Sequence, residues 1–244
     1  MVLVGVHTPE FAFEQDVDNV KDAIKRFDIE YPVALDNDYK TWSAYDNHYW
    51  PAHYLIDQEG TITQIHFGEG AYLETENAIR SLLGLPALSD GKEAKVSMRG
   101  TTPETYLGYQ RASAYTTDIS IQKDKVVEYN YQGKLDTNQV GLKGSWLIGP
   151  ESIQAESDGA TIDLNFMAQH VYLVMKATSP AHVTVLLDGK PLSPEYRTDD
   201  MDREGAIPIS QARMYTIVNL KDSKRHVLTL TFPKGVSAYA FTFG

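Results

Sequence analysis

Residues 47–70, NHYWPAHYLIDQEGTITQIHFGEG, constrain the fold of this chain more than any other stretch. Apolar and polar residues alternate on both sides of the segment 58–60, a pattern that predicts two strands joined by a tight turn. A proline precedes the first strand, where a residue without a backbone donor fits best. Because an aromatic residue before proline is compatible with the cis isomer, we predict a β-hairpin entered through a cis Trp50–Pro51 peptide bond.

Strand-like and helical segments alternate on both sides of this hairpin. The periodicity predicts a short buried strand at 2–6, a helix at 17–27, a short strand at 31–35, a helix from Asp38 and an amphipathic helix at 72–83. Such alternation is typical of an α/β domain. We therefore assign residues 1–86 to one α/β domain.

Four segments of this region carry a resemblance to a known family. They are GVHTPEFAFE (5–14), YPVALDNDYKTW (31–42), YWPAHYLIDQEG (49–60) and HFGEG (66–70). In order and spacing they resemble the second half of the thioredoxin-like domain in the C-terminal periplasmic region of DipZ-type cytochrome c biogenesis and thiol-disulfide interchange proteins. The resemblance implies a thioredoxin fold, a periplasmic or other extracytoplasmic location, and a redox protein or a cysteine-containing substrate as partner.

The reactive residues of that family have no counterpart in this chain. In the family a Cys-x-x-Cys pair lies at the N-terminus of the helix preceding the strand that here is 2–6, and this placement lowers the pKa of one thiol. The chain contains no cysteine. By itself it cannot exchange disulfides, so we assign no catalytic residue and expect an N-terminally truncated thioredoxin-like domain that is not an enzyme on its own.

The absent part of such a domain includes a strand between those at 2–6 and 52–57. Without it both strands have exposed edges, and unpaired apolar edges pair readily with other chains. We expect direct closure of the two strands, a large rearrangement, or pairing with a second chain, which includes a homo-oligomer.

The proline loop is the candidate substrate-docking site. In the family this loop presents backbone groups to a substrate strand, which makes Pro51 and the aromatic residues Trp42, Tyr49 and Trp50 docking candidates. Core packing is the alternative for the three aromatic side chains, and we favour it.

Charge and motifs exclude several classes of partner. The formal net charge of −11 argues against nucleic acid and an anionic membrane surface, because both require clustered Lys and Arg. No apolar run is long enough to span a bilayer. The histidines lack metal-site spacing, and phosphate-binding glycine loops and a serine-nucleophile motif are absent. We expect neither a metal nor a cofactor.

The second half of the chain has a different pattern. Residues 87–104 are rich in Gly, Pro, Ser and Lys, which is typical of a linker. From 105 to 244, short alternating segments separated by Gly and Pro predict an all-β sandwich, with a jelly roll as the best match. Four segments, HVTVLLDGKPL (182–192), ARMYTIVNL (212–220), HVLTLTF (226–232) and VSAYAFTFG (236–244), resemble the carbohydrate-binding-module-like domain of DipZ-type proteins.

Such domains bind sugars by stacking aromatic rings on a pyranose while polar groups hold its hydroxyls. The candidates here are Tyr131, Trp146, Tyr196, Tyr215, Arg213 and Asp199. We favour core packing for Trp146 and Tyr215, which lie within strands, and exposure for Tyr196, which lies in the polar loop SPEYRTDDMDRE. The acidic residues of that loop lack the spacing of a calcium-binding loop.

Three functions follow from these patterns. The first is a thioredoxin-like module of a disulfide-interchange or cytochrome c maturation protein, redox-inactive in this chain. The second is a non-catalytic carbohydrate-binding protein, and the third is a structural or oligomerisation protein.

Overall fold

The computed structural model of the chain describes residues 1–89 and 101–244. The chain divides into two compact units, Met1–Ser97 and Met98–Gly244, called here the N-terminal and C-terminal units. Most of the linker predicted at 87–104 lies outside the described residues, so the predicted domain boundaries stay a prediction.

The N-terminal unit alternates strands and helices. Its elements are β1 (Gly5–His7), a 3₁₀ helix (Ala12–Gln15), α1 (Val17–Arg26), β2 (Val33–Leu35), α2 (Lys40–Ala44), β3 (Ala52–Ile56), β4 (Ile62–Phe67) and α3 (Tyr72–Leu82). Local chemistry sets these bounds. The Asp16 carboxylate accepts a hydrogen bond from the backbone N–H of Asp18 and so caps α1. The Asp57 carboxylate accepts the backbone N–H groups of Glu59 and Thr61 and so closes the turn between β3 and β4.

The strands of the N-terminal unit form two separate two-stranded sheets. β1 pairs with β2 in parallel, and β3 pairs with β4 in an antiparallel hairpin. Within the described residues β1 and β3 do not pair, so direct closure, one of the three expected outcomes, does not occur there. The prediction of a buried first strand was also wrong, because Val4 and Val6 are 54% and 47% exposed.

Little apolar surface is buried in the N-terminal unit. In residues 1–89 the buried apolar side chains are Pro9, Phe11 and Val20. Tyr72, Leu82 and Leu83 on and beside α3 are exposed. Since burial of apolar surface is the main force that drives folding, this unit presents apolar surface that its own elements leave open.

In residues 101–244 the C-terminal unit is all β apart from a 3₁₀ turn at Pro194–Tyr196. Its strands are β5 (Thr105–Tyr106), β6 (Val126–Asn130), β7 (Val140–Ile148), β8 (Ile153–Ala155), β9 (Ala160–Ala177), β10 (Ala181–Leu187), β11 (Lys190–Pro191), β12 (Ala206–Ile209), β13 (Arg213–Phe232) and β14 (Val236–Phe243). The prediction of an all-β second half is confirmed, and the jelly-roll topology stays a prediction.

Two long strands organise this unit. β9 and β13 pair with each other over most of their length, with an irregularity in register between Asn219 and Lys224 of β13. β9 pairs with β7 along its first part and with β14 along its second, and β8 bridges β14 to β7. The sheet therefore returns to β9 and closes on itself.

In β9 the inward-facing residues have even numbers where the strand pairs with β7 and odd numbers where it pairs with β14. Ile162 and Leu164 point inward in the first part, whereas Val171 and Leu173 do so in the second, and all four are fully buried. Because side chains alternate between faces with a period of two, this change from even to odd numbers requires an extra residue in between. β9 can thus contribute both of its parts to one core.

Candidate functional site

The proline loop of the N-terminal unit is held by an aromatic pair and one indole hydrogen bond. The Trp50–Pro51 peptide bond is cis, the isomer that the sequence predicts. The Trp50 ring lies 4.3 Å from the Trp42 ring, centroid to centroid. The Trp50 indole N–H donates to the backbone oxygen of Thr8 at 3.2 Å. The loop is thereby joined to the end of β1.

A buried carboxylate fixes the other side of this loop. Asp36 is 5% exposed and accepts the backbone N–H groups of Thr41 and Trp42, both at 2.8 Å, and the hydroxyl of Thr8. Burial by itself would raise the pKa of Asp36, but the two backbone N–H groups and the Thr8 hydroxyl lower it below its usual value. Asp36 therefore links the start of α2, which carries Trp42, to β1.

The docking candidates differ in exposure. Tyr49 is 56% and Trp50 47% exposed, whereas Trp42 is half-buried. Core packing, which we favoured for these residues, was wrong for Tyr49 and Trp50, because about half of each side chain is open to solvent. With Pro51 they form a surface, called here the aromatic rim, made of Trp42, Tyr49, Trp50 and Pro51.

Buried polar atoms near the open strands lack partners. Within the described residues the Asn37 Oδ1, Gln64 Oε1 and His66 Nε2 atoms are buried without a hydrogen-bond partner. His66 lies opposite His53 in the β3–β4 hairpin, with the two rings stacked. Since buried polar groups are normally paired, these three atoms remain open to a further hydrogen-bond partner.

Two of the sugar-binding candidates are core residues of the C-terminal unit. Trp146 and Tyr215 are fully buried, as their strand positions predict. The Trp146 indole N–H donates to the backbone oxygen of Lys143 at 2.9 Å, and its ring contacts Phe232 edge to face. Neither ring is available to stack on a sugar.

Tyr196 and its polar neighbours support a loop rather than form an open face. Tyr196 is half-buried against the core, so the expectation of an exposed ring was wrong. The Arg213 guanidinium stacks on the Tyr215 ring at 3.7 Å and pairs with Asp200 rather than with Asp199, which is exposed.

The Asp200 carboxylate ties this loop to β13. It accepts the guanidinium of Arg213 and the backbone N–H of Thr216 at 2.8 Å. Burial alone would raise the pKa of Asp200, but these hydrogen bonds and the positive charge of Arg213 lower it. The neighbouring Asp202 accepts the backbone N–H groups of Glu204 and Ala206. The carboxylates of Asp200 and Asp202 therefore bind donors of the loop itself and of β13, and so stabilise the loop.

Tyr131 is the candidate that the structure places in a polar cluster. Its hydroxyl donates to the Asp163 carboxylate, which is 8% exposed and also accepts the hydroxyl of Thr229. The Lys143 ammonium lies 3.8 Å from the same carboxylate and 4.7 Å from the centre of the Tyr131 ring. Burial, and then the hydrogen bond to Asp163 and its negative charge, raise the pKa of Tyr131.

Gly141 makes room for this ring. A Cβ atom at position 141 would lie 2.4 Å from the Tyr131 ring. The sequence patterns did not point to Asp163, Thr229, Lys143 or Gly141. A signal was present for Asp163, which interrupts the strand TIDLNF with a charge, but its partners come from distant strands.

Residues 1–89 and 101–244 contain neither a helix suited to span a membrane nor a cluster of side chains suited to bind a metal ion. No helix in these ranges is long and apolar enough to cross a membrane. No group of three or more His, Cys, Asp or Glu side chains in the same ranges is arranged to hold a metal ion.

A family model described as the thioredoxin like C-terminal domain matches residues 102–244. This chain belongs to that family. The match to the thioredoxin like C-terminal domain coincides with the all-β unit from β5 to β14.

DipZ proteins resemble the chain over its whole length. The protein DipZ of Mycobacterium tuberculosis is 34% identical over 253 residues, and that of Mycobacterium bovis gives the same values. The alignment covers 100% of this chain and 34% of DipZ, so the chain spans about a third of the length of these relatives. The resemblance to the C-terminal region of DipZ-type proteins is thereby confirmed for this member of the thioredoxin like C-terminal domain family.

Other similarities cover parts of the chain. The thiol-disulfide oxidoreductase YkuV of Bacillus subtilis is 27% identical over 81 residues, which are 33% of this chain and 55% of that protein. A solved structure of a family two carbohydrate esterase from Clostridium thermocellum in complex with cellohexaose is 17% identical. The match covers 43% of this chain and 31% of the esterase chain, with a TM-score of 0.36.

Proposed function

We propose that this chain is the thioredoxin-like module, with its attached β unit, of an extracytoplasmic protein of disulfide interchange or cytochrome c maturation. In this role the aromatic rim docks an extended, cysteine-containing segment of a substrate or redox partner. Because the chain has no cysteine, the docking is non-covalent and the chain does not itself exchange disulfides.

The observation that carries the proposal is the exposed aromatic rim beside unpaired strands. Tyr49 and Trp50 present large apolar rings to solvent, and such residues are common energetic centres of protein interfaces. Within residues 1–89, β1 pairs with β2 alone, and β3 pairs with β4 alone. An extended peptide can pair with such an edge through its backbone while side chains contact the rim. The similarity to DipZ and to the oxidoreductase YkuV supports the redox setting.

Peptide binding tests this proposal directly. The chain is titrated with an extended peptide that contains Cys-x-x-Cys-His, the haem-attachment motif of c-type cytochromes. Tryptophan fluorescence reports binding, because Trp42 and Trp50 lie in the rim whereas Trp146 is fully buried in the other unit. We expect Tyr49→Ala to weaken binding roughly fivefold or more, since central interface side chains contribute over ~1 kcal/mol.

The matched control is Tyr72→Ala, which removes another exposed tyrosine of the same unit. It should bind the peptide as the wild type does, and a peptide with serine in place of both cysteines should bind within a few-fold. Equal binding by wild type and Tyr49→Ala, or no binding by the wild type, would refute rim docking.

A second candidate function is glycan binding by the C-terminal unit. Its support is the cluster of Tyr131, Lys143 and Asp163, in which an aromatic ring, an ammonium and a carboxylate meet on one face of the sheet. Such a set of groups suits a hydroxyl-rich ligand. A jelly-roll topology for the closed sheet, proposed from the strand pattern, agrees with this role. Homo-oligomerisation through the strand edges stays a prediction.

A further inference from the structure

A row of three threonines and one lysine crosses four strands of the C-terminal unit and ends beside Tyr131. The register places Thr184 of β10 opposite Thr231 of β13, Thr231 opposite Thr161 of β9, and Thr161 opposite Lys143 of β7. These residues alternate with buried ones such as Val185, so they share the outer face of the sheet.

The three threonine hydroxyls of this row are free to bind a ligand, as far as the described residues show. In the described part of the chain Thr161, Thr184 and Thr231 make no side-chain hydrogen bond, and none of the three is buried. Thr229 differs, because its hydroxyl is already bound to Asp163. The row therefore offers several groups that can each donate and accept a hydrogen bond.

The loop between β6 and β7 crosses the same face of the sheet obliquely and comes beside this row at Tyr131. It reaches the sheet at three points. The Tyr131 hydroxyl donates a hydrogen bond to the Asp163 carboxylate. The Leu135 backbone oxygen accepts a hydrogen bond from the side-chain amide of Asn165. The Thr137 hydroxyl accepts a hydrogen bond from the Arg225 guanidinium. The absence of a side chain at Gly141 lets the Tyr131 ring lie against the sheet. The Tyr131 ring is thereby fixed at the Lys143 end of the row of threonines.

We propose that this face, made of Thr161, Thr184, Thr231, Lys143 and Tyr131, binds a chain of neutral pyranose units that runs across the strands. Adjacent strands lie ~4.8 Å apart, which is close to the length of one pyranose unit, so successive sugars meet successive strands. Sugar hydroxyls both donate and accept, as the threonine hydroxyls do, and Lys143 adds a donor. This inference rests on the proposed glycan-binding role and replaces the loop residues Tyr196 and Asp199 as its site.

Affinity electrophoresis in gels that contain hydroxyethylcellulose or galactomannan tests the site, followed by calorimetric titration with cellohexaose and mannopentaose. We expect at least one of these polysaccharides to retard the wild-type chain. The double variant Thr161→Val/Thr231→Val keeps shape and strand preference but removes two hydroxyls, and should lower affinity about tenfold or more, since each hydrogen bond is worth ~1 kcal/mol. Gly141→Ala should do the same by displacing the Tyr131 ring.

Control variants distinguish a wrong binding face from the absence of glycan binding altogether. Thr242→Val removes a hydroxyl from β14, outside this face, and should bind as the wild type does. Unchanged thermal unfolding of the Val variants excludes a folding defect. Retarded migration that persists in the double variant and in Gly141→Ala but disappears in Tyr196→Ala would overturn this site and leave the glycan-binding role standing. No retardation of the wild type by either polysaccharide would overturn both.

Discussion

The link between Asp200 and β13 allows a sharp test of how the C-terminal unit holds its acidic loop. Asp200→Asn keeps the size of the side chain but removes its charge. The amide of Asn can satisfy only one of the two donors, the Arg213 guanidinium or the backbone N–H of Thr216. Asp200 and Arg213 are 19% and 20% exposed, so water relieves only part of the loss.

A hydrogen bond to a charged group contributes ~1.5–3 kcal/mol, and a donor left unpaired costs ~1–3 kcal/mol. For this partly buried site we expect Asp200→Asn to lower the free energy of unfolding of the C-terminal unit by about 2 kcal/mol. In a domain of this size that loss lowers Tm by roughly 4–8 °C.

The assay uses a background in which Trp42 and Trp50 are replaced by Phe. Trp146 is then the one tryptophan left in the chain, and it is fully buried in the core of the C-terminal unit. Its fluorescence in urea reports unfolding of that unit alone. The matched control is Asp199→Asn, because Asp199 is the exposed neighbour and should change stability by less than ~0.5 kcal/mol.

The effect depends on pH in a predictable direction. The pKa of Asp200 is lowered in the folded state, so its contribution is complete above the unfolded value of ~3.9 and is lost as the pH falls through the lower folded value. The difference between wild type and Asp200→Asn should therefore be constant near neutral pH and shrink below pH ~4. Equal stability of the two Asn variants at neutral pH, or a gap that widens on acidification, would refute this reasoning.

Three further predictions follow from single contacts. Trp146→Phe removes the hydrogen bond to the Lys143 oxygen and leaves a cavity, and should lower the free energy of unfolding of the C-terminal unit in urea by ~2–3 kcal/mol. Asp36→Asn should weaken the start of α2 by ~1–2 kcal/mol. Hydrogen exchange at the backbone N–H of Thr41 and Trp42 should speed up, and exposed Asp38→Asn should leave it unchanged. Tyr131→Phe should not change the phenolate absorbance at pH ~10, because the pKa of Tyr131 is raised above the usual tyrosine value. A loss of phenolate signal at that pH would contradict the buried hydrogen bond to Asp163.

The local features of this chain could be read from its sequence. The hairpin, its turn and the helices beside it follow from periodicity and from turn residues within a few positions of each other, and the structure has them within one or two residues of the predicted bounds. The absence of cysteine excludes dithiol chemistry by this chain whatever its fold. The burial of Trp146 and Tyr215 was also accessible, because both lie in alternating strands.

The tertiary structure alone decided which residues meet. Asp163 joins Tyr131 and Thr229 across 32 and 66 residues of chain, and the alternating pattern of each strand does not say which strand lies beside it. The exposure of Val6 was equally hidden, because an apolar strand looks the same in sequence whether or not a neighbour covers it. Periodicity is a local property, whereas strand order and burial depend on contacts between segments far apart in the chain.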